Sequence, residues 1–326
     1  MSDNVKDKKI LVLGVGEMGR EYTKVLKALN CNELTIVGRG EKGCAEYFEK
    51  TGVKAVPGGA TNWLKEKRPE IEYAIVAVSV EDLAKATIQL LDYGVKNILL
   101  EKPAGLNVEE VGMVCSKADE KDAKVIVAYN RRFYASTLKA QEMIKADGGV
   151  LSFHFEFTEW PHVILTATHI SIQTKANWFL ANSSHVVDLA FFLGGHPGKM
   201  SSFKAGGCNW HPSGTIYAGS GVSETGALFS YCANWDAPGR WGVEIMTKNH
   251  RLIFKPLEKL QIQKQKSVVI DSADVDYNLD TDFNPGLYLQ TKYFLERFDH
   301  TNFIDIKEHY RNVSRIYSAI ENGIHG

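Results

Sequence analysis

The stretch KKILVLGVGEMGR, residues 8–20, decides how the first part of the chain folds. A short apolar run, typical of a buried strand, leads into the spacing G-x-G-x-x-G and then into residues with one apolar helical face. In a strand–turn–helix unit these glycines permit a tight turn, the approach of a pyrophosphate and close helix packing. Free N–H groups at the helix start favour phosphate. The stretch predicts a dinucleotide site formed by Gly14, Gly16, Glu17, Met18 and Gly19.

Strand-like and helix-like segments alternate from here to about residue 128. The further strand candidates are ELTIVG, EYAIVAVS, VKNILLEKP and AKVIVAYN. Ser79 with Asp82, and Asn107 with Glu110, resemble helix caps. Such alternation is typical of a parallel sheet covered by helices. We therefore expect residues 1–128 to form a Rossmann-type, doubly wound parallel sheet that binds a dinucleotide, which makes the fold class α/β.

From Gly149 onward the pattern changes to alternating apolar and polar residues. The runs are VLSFHFEFTEW, GALFSYCANW, WGVEIMT, HRLIFKP and KLQIQKQ. This pattern favours a large mixed or antiparallel open sheet in an α+β domain. All ten histidines lie at or after His154, so an acid–base histidine has to come from this part. We expect residues 129–326 to form the substrate-binding and oligomerisation domain.

Composition excludes several classes of protein. The 326 residues carry a net charge of −1, with 44% hydrophobic and 24% charged residues, so neither nucleic acid nor a membrane surface is an expected partner. No apolar stretch is long enough to span a membrane, and the start has no signal-peptide pattern, which favours a cytoplasmic protein. Five cysteines without a C-x-x-C pair indicate neither a disulfide framework nor a zinc site. His154, His162 and His169 match no ligand spacing, so no metal is expected.

Arg39 bears on which dinucleotide is bound. Sites for NAD usually carry an acidic residue about 20 residues after the glycine loop. Here the second strand ends IVGRG, with Gly38 and Arg39 and no carboxylate. The guanidinium fork suits a 2′-phosphate. We therefore expect NADP, with NAD possible if Arg39 is only a solvated loop residue.

The stretch ILLEKPAG, residues 98–105, raises a second functional question. An apolar strand ends abruptly in Glu101, Lys102 and Pro103. Lysine and glutamate are almost never fully buried unless they are paired or used. Ligands bind at the carboxyl ends of the strands in a doubly wound sheet. These residues are therefore expected at the mouth of a site.

Four motifs together resemble the glucose–fructose oxidoreductase and inositol dehydrogenase (Gfo/Idh/MocA) family. They are GVGEMG, EKPAG, NRRF and HVVDLAFFLGG. The resemblance implies that Lys102 lies close to the nicotinamide and the reacting carbon, where an ammonium can polarise a carbonyl or stabilise an alkoxide. It also implies that Ser79 and Glu101 lie beside the cofactor or groups that contact it. Pro103 would fix the turn, and its peptide bond can be cis.

The resemblance implies that His185 is the acid–base group of the second domain. Ser183 and Ser184 read as helix caps before it, and a helix start favours the neutral ring. The family aspartate four residues earlier is replaced by Ala181. Asp188 and Asn182 are candidates for the lost polar role. The alternative is that His185 only packs.

Residues on the substrate side follow the last strand of the first domain and continue into the second. Mixed donors and acceptors suit polyhydroxylated ligands, and aromatic faces suit sugar rings. The candidates are Tyr129, Asn130, Arg132, Trp160, Trp178 and Asp188.

These residues favour an NAD(P)-dependent oxidoreductase of a sugar, sugar nucleotide or polyol, in which Lys102 and His185 handle the proton. One alternative is a redox-neutral enzyme of the NAD-dependent glycosidase type. Another is a non-catalytic, cofactor-binding regulator on the same fold. The resemblance also implies a homodimer or homotetramer formed through the second-domain sheet.

Overall fold

The computed structural model describes residues 5–296 and 298–323. Its contacts divide the chain into two units. The first consists of Met1–Asn130 and Asp280–Tyr310, and the second of Arg131–Leu279 and Arg311–Gly326.

The strands are short in the first unit and longer in the second. In chain order they are β1 Ile10–Leu13, β2 Leu34–Val37, β3 Ala55–Val56, β4 Tyr73–Val76, β5 Asn97–Leu100, β6 Lys124–Val127, β7 Ser152–Glu156, β8 Pro197–Ala205, β9 Ile216–Ser223, β10 Leu228–Asn234, β11 Gly242–Met246, β12 His250–Phe254, β13 Gln261–Lys264, β14 Ile270–Ser272 and β15 Ile304–Asp305.

The α-helices mostly alternate with the strands of the first unit. They are α1 Glu17–Ala28, α2 Glu41–Thr51, α3 Gly59–Lys67, α4 Val80–Tyr93, α5 Val108–Glu120, α6 Ala135–Ala146, α7 Pro161–Thr166, α8 Ile172–Ala176, α9 Ser184–Gly194, α10 Asn278–Asp282, α11 Leu287–Glu296, α12 Ile306–Arg311 and α13 Ser318–Asn322. Short 3₁₀ turns cover Val5–Asp7 and Asn130–Phe133, and π-helical turns cover Phe179–Ser183 and Asn312–Tyr317.

The first unit is a doubly wound sheet. Among the described residues its strand order is β15-β6-β5-β4-β1-β2-β3, and every pair from β3 to β6 is parallel. Leu11 and Leu13 of β1 enter the apolar core on one face, and Ile10 and Val12 enter the core on the other. Burial on both faces explains why these strands read as uninterrupted apolar runs. The predicted α/β fold class is confirmed.

A late segment of the chain returns to the first unit. β15 pairs antiparallel with β6, α11 packs against α1, and Phe294 meets Tyr73 edge to face at 5.5 Å between ring centroids. The predicted domain limits, 1–128 and 129–326, do not include this return.

The second unit is a mixed sheet with helices on one face. Its strand order in the described chain is β14-β13-β12-β11-β7-β10-β9-β8, in which β7 and β10 are parallel and the other neighbours antiparallel. Phe153 and Phe155 of β7 are buried and pack edge to face against Phe191 of α9. The mixed sheet expected from the alternating runs is confirmed.

Three of the eight described strands, β8, β9 and β14, were not among the runs that the sequence indicated. β8 begins Pro-Gly, and β9 contains Gly219 and Gly221, residues that are unusual within strands. A Cβ at Gly219 would lie 2.3 Å from the ring of Tyr231, and one at Gly221 would lie 2.6 Å from that of Phe229. These glycines therefore make room for large rings on β10.

Across residues 5–296 and 298–323, none of the helices combines the length and the apolar character needed to cross a bilayer.

Candidate active site

The glycine loop between β1 and α1 has the geometry expected of a dinucleotide cradle. Gly14 has φ +124°, and a Cβ there would lie 2.1 Å from the carbonyl oxygen of Ala77. A Cβ at Gly19 would lie 2.1 Å from the carbonyl oxygen of Gly14. At Gly16 a Cβ would meet no described atom within 4 Å. Two glycines are thus required by packing, and the space beside Gly16 is open, as a bound pyrophosphate requires.

A cavity of about 540 Å³ opens beside this loop, entirely within the first unit. It lies where β1, β2 and β4 end and where α1 and α4 begin. These are the positions at which doubly wound sheets bind nucleotides. Its lining includes six of the predicted cofactor residues, Gly14, Gly16, Glu17, Met18, Arg39 and Ser79, and also Asp82 and Lys85. The residues present therefore fit an NAD(P) molecule.

Asp82 connects two of the predicted cofactor residues. Its Oδ2 accepts a 2.8 Å hydrogen bond from Ser79 Oγ and lies 3.3 Å from Nη1 of Arg39, whose side chain is 88% exposed. Ser79 occupies the cap position of α4, but its side chain caps no backbone N–H, so that detail of the predicted cap is wrong. Sequence reasoning did not select Asp82 as a site residue, although it had paired it with Ser79.

Glu101 is held beneath the turn that carries Lys102. Its carboxylate is buried, and Oε1 accepts a 2.6 Å hydrogen bond from the Tyr22 hydroxyl of α1. Burial, and then the charge of Glu101, raise the pKa of Tyr22 well above its usual value. The Ala104 N–H donates to the Glu101 carbonyl, and the Lys102–Pro103 peptide bond is cis. Lys102 is therefore placed, half-buried, on a tight turn directly after β5.

His309 also contacts this turn, and no sequence signal pointed to it. Its side chain is fully buried, and Nε2 lies 2.9 Å from the carbonyl oxygen of Pro103. The ring packs against Tyr129 at 5.5 Å between centroids. Tyr129 is 1% exposed and belongs to the apolar core, and Asn130 donates to the carbonyl of Pro285. The structure thus places both predicted substrate residues in the packing of the first unit.

Arg132 and Asp188, two predicted substrate residues of the second unit, bind each other. Nε and Nη2 of Arg132 donate to the two Asp188 oxygens at 2.8 and 2.7 Å, and both side chains are buried. This bidentate bond makes Arg132 and Asp188 a buried ion pair within the second unit.

His185 is the second residue of α9, but α9 does not have a free N-terminus, and the predicted capping by Ser183 and Ser184 is wrong. The π-helical turn Phe179–Ser183 runs directly into α9, and Ser183 has helical φ and ψ of −62° and −25°. Ser184 Oγ donates to the Leu180 carbonyl instead of capping. The effect of the helix dipole falls off within the first turn. Because the π turn precedes α9, the dipole gives no reason to expect a neutral His185 ring. His185 is 5% exposed, with Trp241 at 6.3 Å between ring centroids.

Glu159 lies shortly after the end of β7, and its carboxylate is buried. The sequence did not single it out as a site residue. Oε1 accepts hydrogen bonds from Ser183 Oγ at 2.8 Å and Asn182 Nδ2 at 3.1 Å, and Oε2 lies 3.5 Å from Nη1 of Arg240. Burial raises its pKa, an effect that these hydrogen bonds and Arg240 oppose. The signal available was a glutamate within the aromatic stretch TEWPH. Asn182, a candidate for the missing carboxylate's role, therefore binds a carboxylate.

The two predicted aromatic platforms differ in exposure. Trp160 is 43% exposed, donates from Nε1 to the Gly239 carbonyl, and lies under the Arg240 guanidinium at 4.6 Å. Trp178 is buried in the core of the second unit. Trp160 thus retains an open ring surface and Trp178 does not.

The part of the chain that the structure describes holds no group of three or more His, Cys, Asp or Glu side chains arranged to bind a metal ion. His154 instead bonds Ser230 Oγ at 3.0 Å.

The first unit has a glycine loop between a strand and a helix, beside an open cleft at the ends of the strands. This arrangement defines the class as dinucleotide-binding proteins with a doubly wound sheet. Residues 8–129 match the family model described as "Oxidoreductase family, NAD-binding Rossmann fold" (GFO_IDH_MocA). This match lies within the first unit, and it confirms the predicted resemblance to the Gfo/Idh/MocA family. The protein is an NAD(P)-binding oxidoreductase of the dehydrogenase or reductase type.

Similarity to individual proteins is low in sequence and high in fold. Oxidoreductase P35 of Formosa agariphila is 22% identical over 230 residues, which cover 65% of this chain and 67% of the relative. A levoglucosan dehydrogenase in complex with NADH and L-sorbose superposes with a TM-score of 0.76 at 16% identity, covering 97% of this chain and 96% of that one. UDP-N-acetylglucosamine 3-dehydrogenase GnnA from Acidithiobacillus ferrooxidans gives 0.72 at 14% identity, covering 97% of each chain. The two structural likenesses establish a shared fold.

Proposed function

We propose that the protein transfers a hydride between NADP and a carbinol or keto carbon of a sugar, sugar nucleotide or polyol. The observation that carries this proposal is the Glu101–Lys102–Pro103 turn, which follows β5 in the same sheet as the glycine-loop cleft. Neighbours in fold that are named for levoglucosan and for UDP-N-acetylglucosamine support a carbohydrate substrate.

The first unit would hold the cofactor. The backbone around Gly16 and the start of α1 would bind the pyrophosphate, and the two loops that carry Arg39 and Ser79 would bind the adenosine half. When bound, the nicotinamide supplies a ring carbon that accepts or gives the hydride.

Lys102 would manage charge at the substrate oxygen. Its ammonium can stabilise a developing alkoxide or polarise a carbonyl, and partial burial strengthens that interaction. Glu101 and His309 hold the turn below it and would keep the side chain aimed. His185 of the second unit would accept or return the proton of the substrate hydroxyl.

Arg39 supports NADP over NAD. Its exposed guanidinium lines the cleft, and the Lys85 side chain lines the same cavity, so a 2′-phosphate would meet two cations. Asp82 would compete with the phosphate for Arg39, which leaves NAD as a possible second cofactor.

The open face of the second-unit sheet supports a homodimer or homotetramer. Phe203 on β8, Val222 on β9 and Leu228 on β10 are 54%, 37% and 61% exposed. An exposed apolar sheet face marks an interaction site, and in a symmetric dimer the same face of a second copy covers it. Light scattering coupled to gel filtration tests this, and a monomeric Phe203→Asp variant of an oligomeric wild type is the expected result.

The test of function begins with the mass and absorbance of any cofactor released from freshly purified protein, followed by fluorescence titration with NADPH and NADH. Turnover is then followed at the nicotinamide absorbance band across a panel of sugars, polyols and sugar nucleotides. We expect Lys102→Met to bind NADPH normally and to lose about 10²–10⁴-fold in kcat. Bound NAD that is never consumed while glycosides are cleaved would contradict the proposal and favour the redox-neutral alternative.

A further inference from the structure

The second unit contains a buried carboxylate, that of Glu159, to which the proposed hydride transfer assigns no role. Glu159 is 2% exposed, yet it accepts from two side chains and faces a guanidinium. Keeping a charged carboxylate buried is costly unless it is paired and hydrogen-bonded. The partners therefore indicate what Glu159 is for.

Two of those partners belong to one turn of unusual geometry. Asn182 and Ser183 are the last residues of the π-helical turn Phe179–Ser183, immediately before α9. A π turn inserts an extra residue into a helix and is frequently found at functional sites. One residue corresponds to about 100° of rotation around the helix axis. The turn therefore sets the direction in which the side chains of the following residues point, including His185.

The third partner reaches His185 by a different route. Arg240 lies 3.5 Å from Glu159 Oε2, and its guanidinium carbon stands 4.6 Å from the ring centroid of Trp241. The Trp241 ring is in turn 6.3 Å from that of His185. Glu159 thus connects to both the turn before His185 and the indole beside it.

We infer that Glu159 is a positioning residue that fixes the orientation and the charge environment of His185. It holds the π turn before His185 through hydrogen bonds from Asn182 and Ser183. It holds the Trp241 ring beside His185 through Arg240. This inference rests on the proposed role of His185 in proton transfer. The carboxylate that holds the π turn comes from the segment after β7. The turn itself has alanine at position 181 and carries no carboxylate.

The experiment compares Glu159→Gln, Glu159→Ala and Ser183→Ala with Glu244→Gln as the matched control. Gln keeps an acceptor for Ser183 and Asn182 and removes the charge that faces Arg240. Ser183→Ala removes one donor and leaves the carboxylate in place. Glu244 lies on β11 of the same sheet and pairs with the exposed Arg251, so its change removes an equal charge elsewhere.

Two readouts separate positioning from general structural damage. The first is the titration of the His185 ring by NMR, with its signal identified by its loss in His185→Gln. The second is the division of any effect between kcat and KM, with NADPH affinity as the check on the first unit. We expect Glu159→Gln and Ser183→Ala to move the His185 midpoint by about half a pH unit or more and to lower kcat about tenfold with little change in KM. Glu159→Ala should do more, and Glu244→Gln should match the wild type.

An unmoved His185 midpoint in folded Glu159→Gln and Ser183→Ala would overturn the inference, as would an equal shift in Glu244→Gln. If Glu159→Ala does not fold, the other two variants decide. If the wild type turns over no compound of the panel, the proposed function fails; the NMR titration still decides whether Glu159 controls the environment of His185.

Discussion

The Tyr22 hydroxyl in α1 donates a 2.6 Å hydrogen bond to Oε1 of Glu101, the residue before Lys102. The helix that starts at the glycine loop is thereby joined to the turn that carries the proposed catalytic lysine. Both residues are buried, so the bond is shielded from water. Cofactor cradle and lysine turn are fixed to each other by a charge-assisted contact within one unit.

Removing that hydroxyl is expected to affect both stability and catalysis. Tyr22→Phe takes a donor from a buried carboxylate, which costs about 1–3 kcal/mol. Because the turn loses a support, kcat should fall while NADPH affinity stays close to that of the wild type. Urea unfolding and steady-state kinetics measure the two effects.

Tyr47→Phe is the matched control, because Tyr47 is equally buried and its hydroxyl pairs with Thr23, a neutral partner. It should destabilise less and leave kcat unchanged. Equal effects of the two variants on kcat would contradict a special role for the Tyr22–Glu101 bond.

The glycines of the loop should respond differently to alanine. Gly14→Ala meets the Ala77 carbonyl and a positive φ, so we expect a loss of at least about 1–3 kcal/mol in the free energy of unfolding. Gly16→Ala enters open space, so its stability should match the wild type, while NADPH affinity falls about tenfold or more. Thermal unfolding and fluorescence titration distinguish these outcomes. Unchanged NADPH affinity in Gly16→Ala would show that the cofactor does not approach this backbone.

Charges at the adenosine end of the cleft should set cofactor preference. Arg39→Asp should move the preference from NADPH towards NADH by about tenfold or more, because a carboxylate repels a 2′-phosphate and can accept from a 2′-hydroxyl. Asp82→Asn should raise NADPH affinity severalfold by releasing Arg39. Titrations with both dinucleotides provide the ratio. Lys42→Asp, an equal charge change at an exposed residue outside the cavity lining, should leave it nearly unchanged.

His211 should make the second unit sensitive to acid. Its ring is fully buried, Nδ1 lies 2.9 Å from the Gly214 carbonyl oxygen, and burial lowers its pKa below the ordinary 6.5. Below that pH the unfolded chain binds a proton that the folded ring does not. Stability should therefore fall as pH falls from 6.5 towards the lowered pKa, by at most about 1.4 kcal/mol per pH unit.

Urea unfolding between about pH 7.5 and pH 5.5 measures this slope, and His211→Asn should flatten it. Glu321 Oε1 lies 3.9 Å from Nε2 of His211, and its effect on the pH dependence of stability is opposite to that of His211. Burial raises the pKa of Glu321 above 4.5, so its contribution to the free energy of unfolding falls as pH rises. Glu321→Gln should therefore steepen the loss of stability on acidification. An unchanged slope in His211→Asn would assign the acid sensitivity to other groups.

The first sheet could be predicted because its information is local. Each parallel strand is buried on both faces, so β1, β4 and β5 appear as continuous apolar runs. Asn107 likewise shows its capping role within four residues, since its Oδ1 accepts from the Glu110 N–H at 3.0 Å. Signals of this kind need no knowledge of distant residues.

The remaining site residues depend on contacts across the chain. Glu159 is understood only through Asn182, Ser183 and Arg240, and His309 only through the turn at Pro103. The predicted capping by Ser183 and Ser184 failed for a related reason. Serines favour caps locally, but the apolar turn before them continues the helix, and the tertiary packing of Phe179 overrides the local preference.

The return of residues 280–310 to the first unit also affects how the protein is made. The ribosome synthesises the chain from its N-terminus, so β6 is made well before its partner β15. β6 therefore remains an unpaired sheet edge until the strands of the second unit and then β15 have been synthesised. The nucleotide-binding unit begins first but is completed late. The segment of this unit that is synthesised last then covers the edge that the earlier segments leave unpaired.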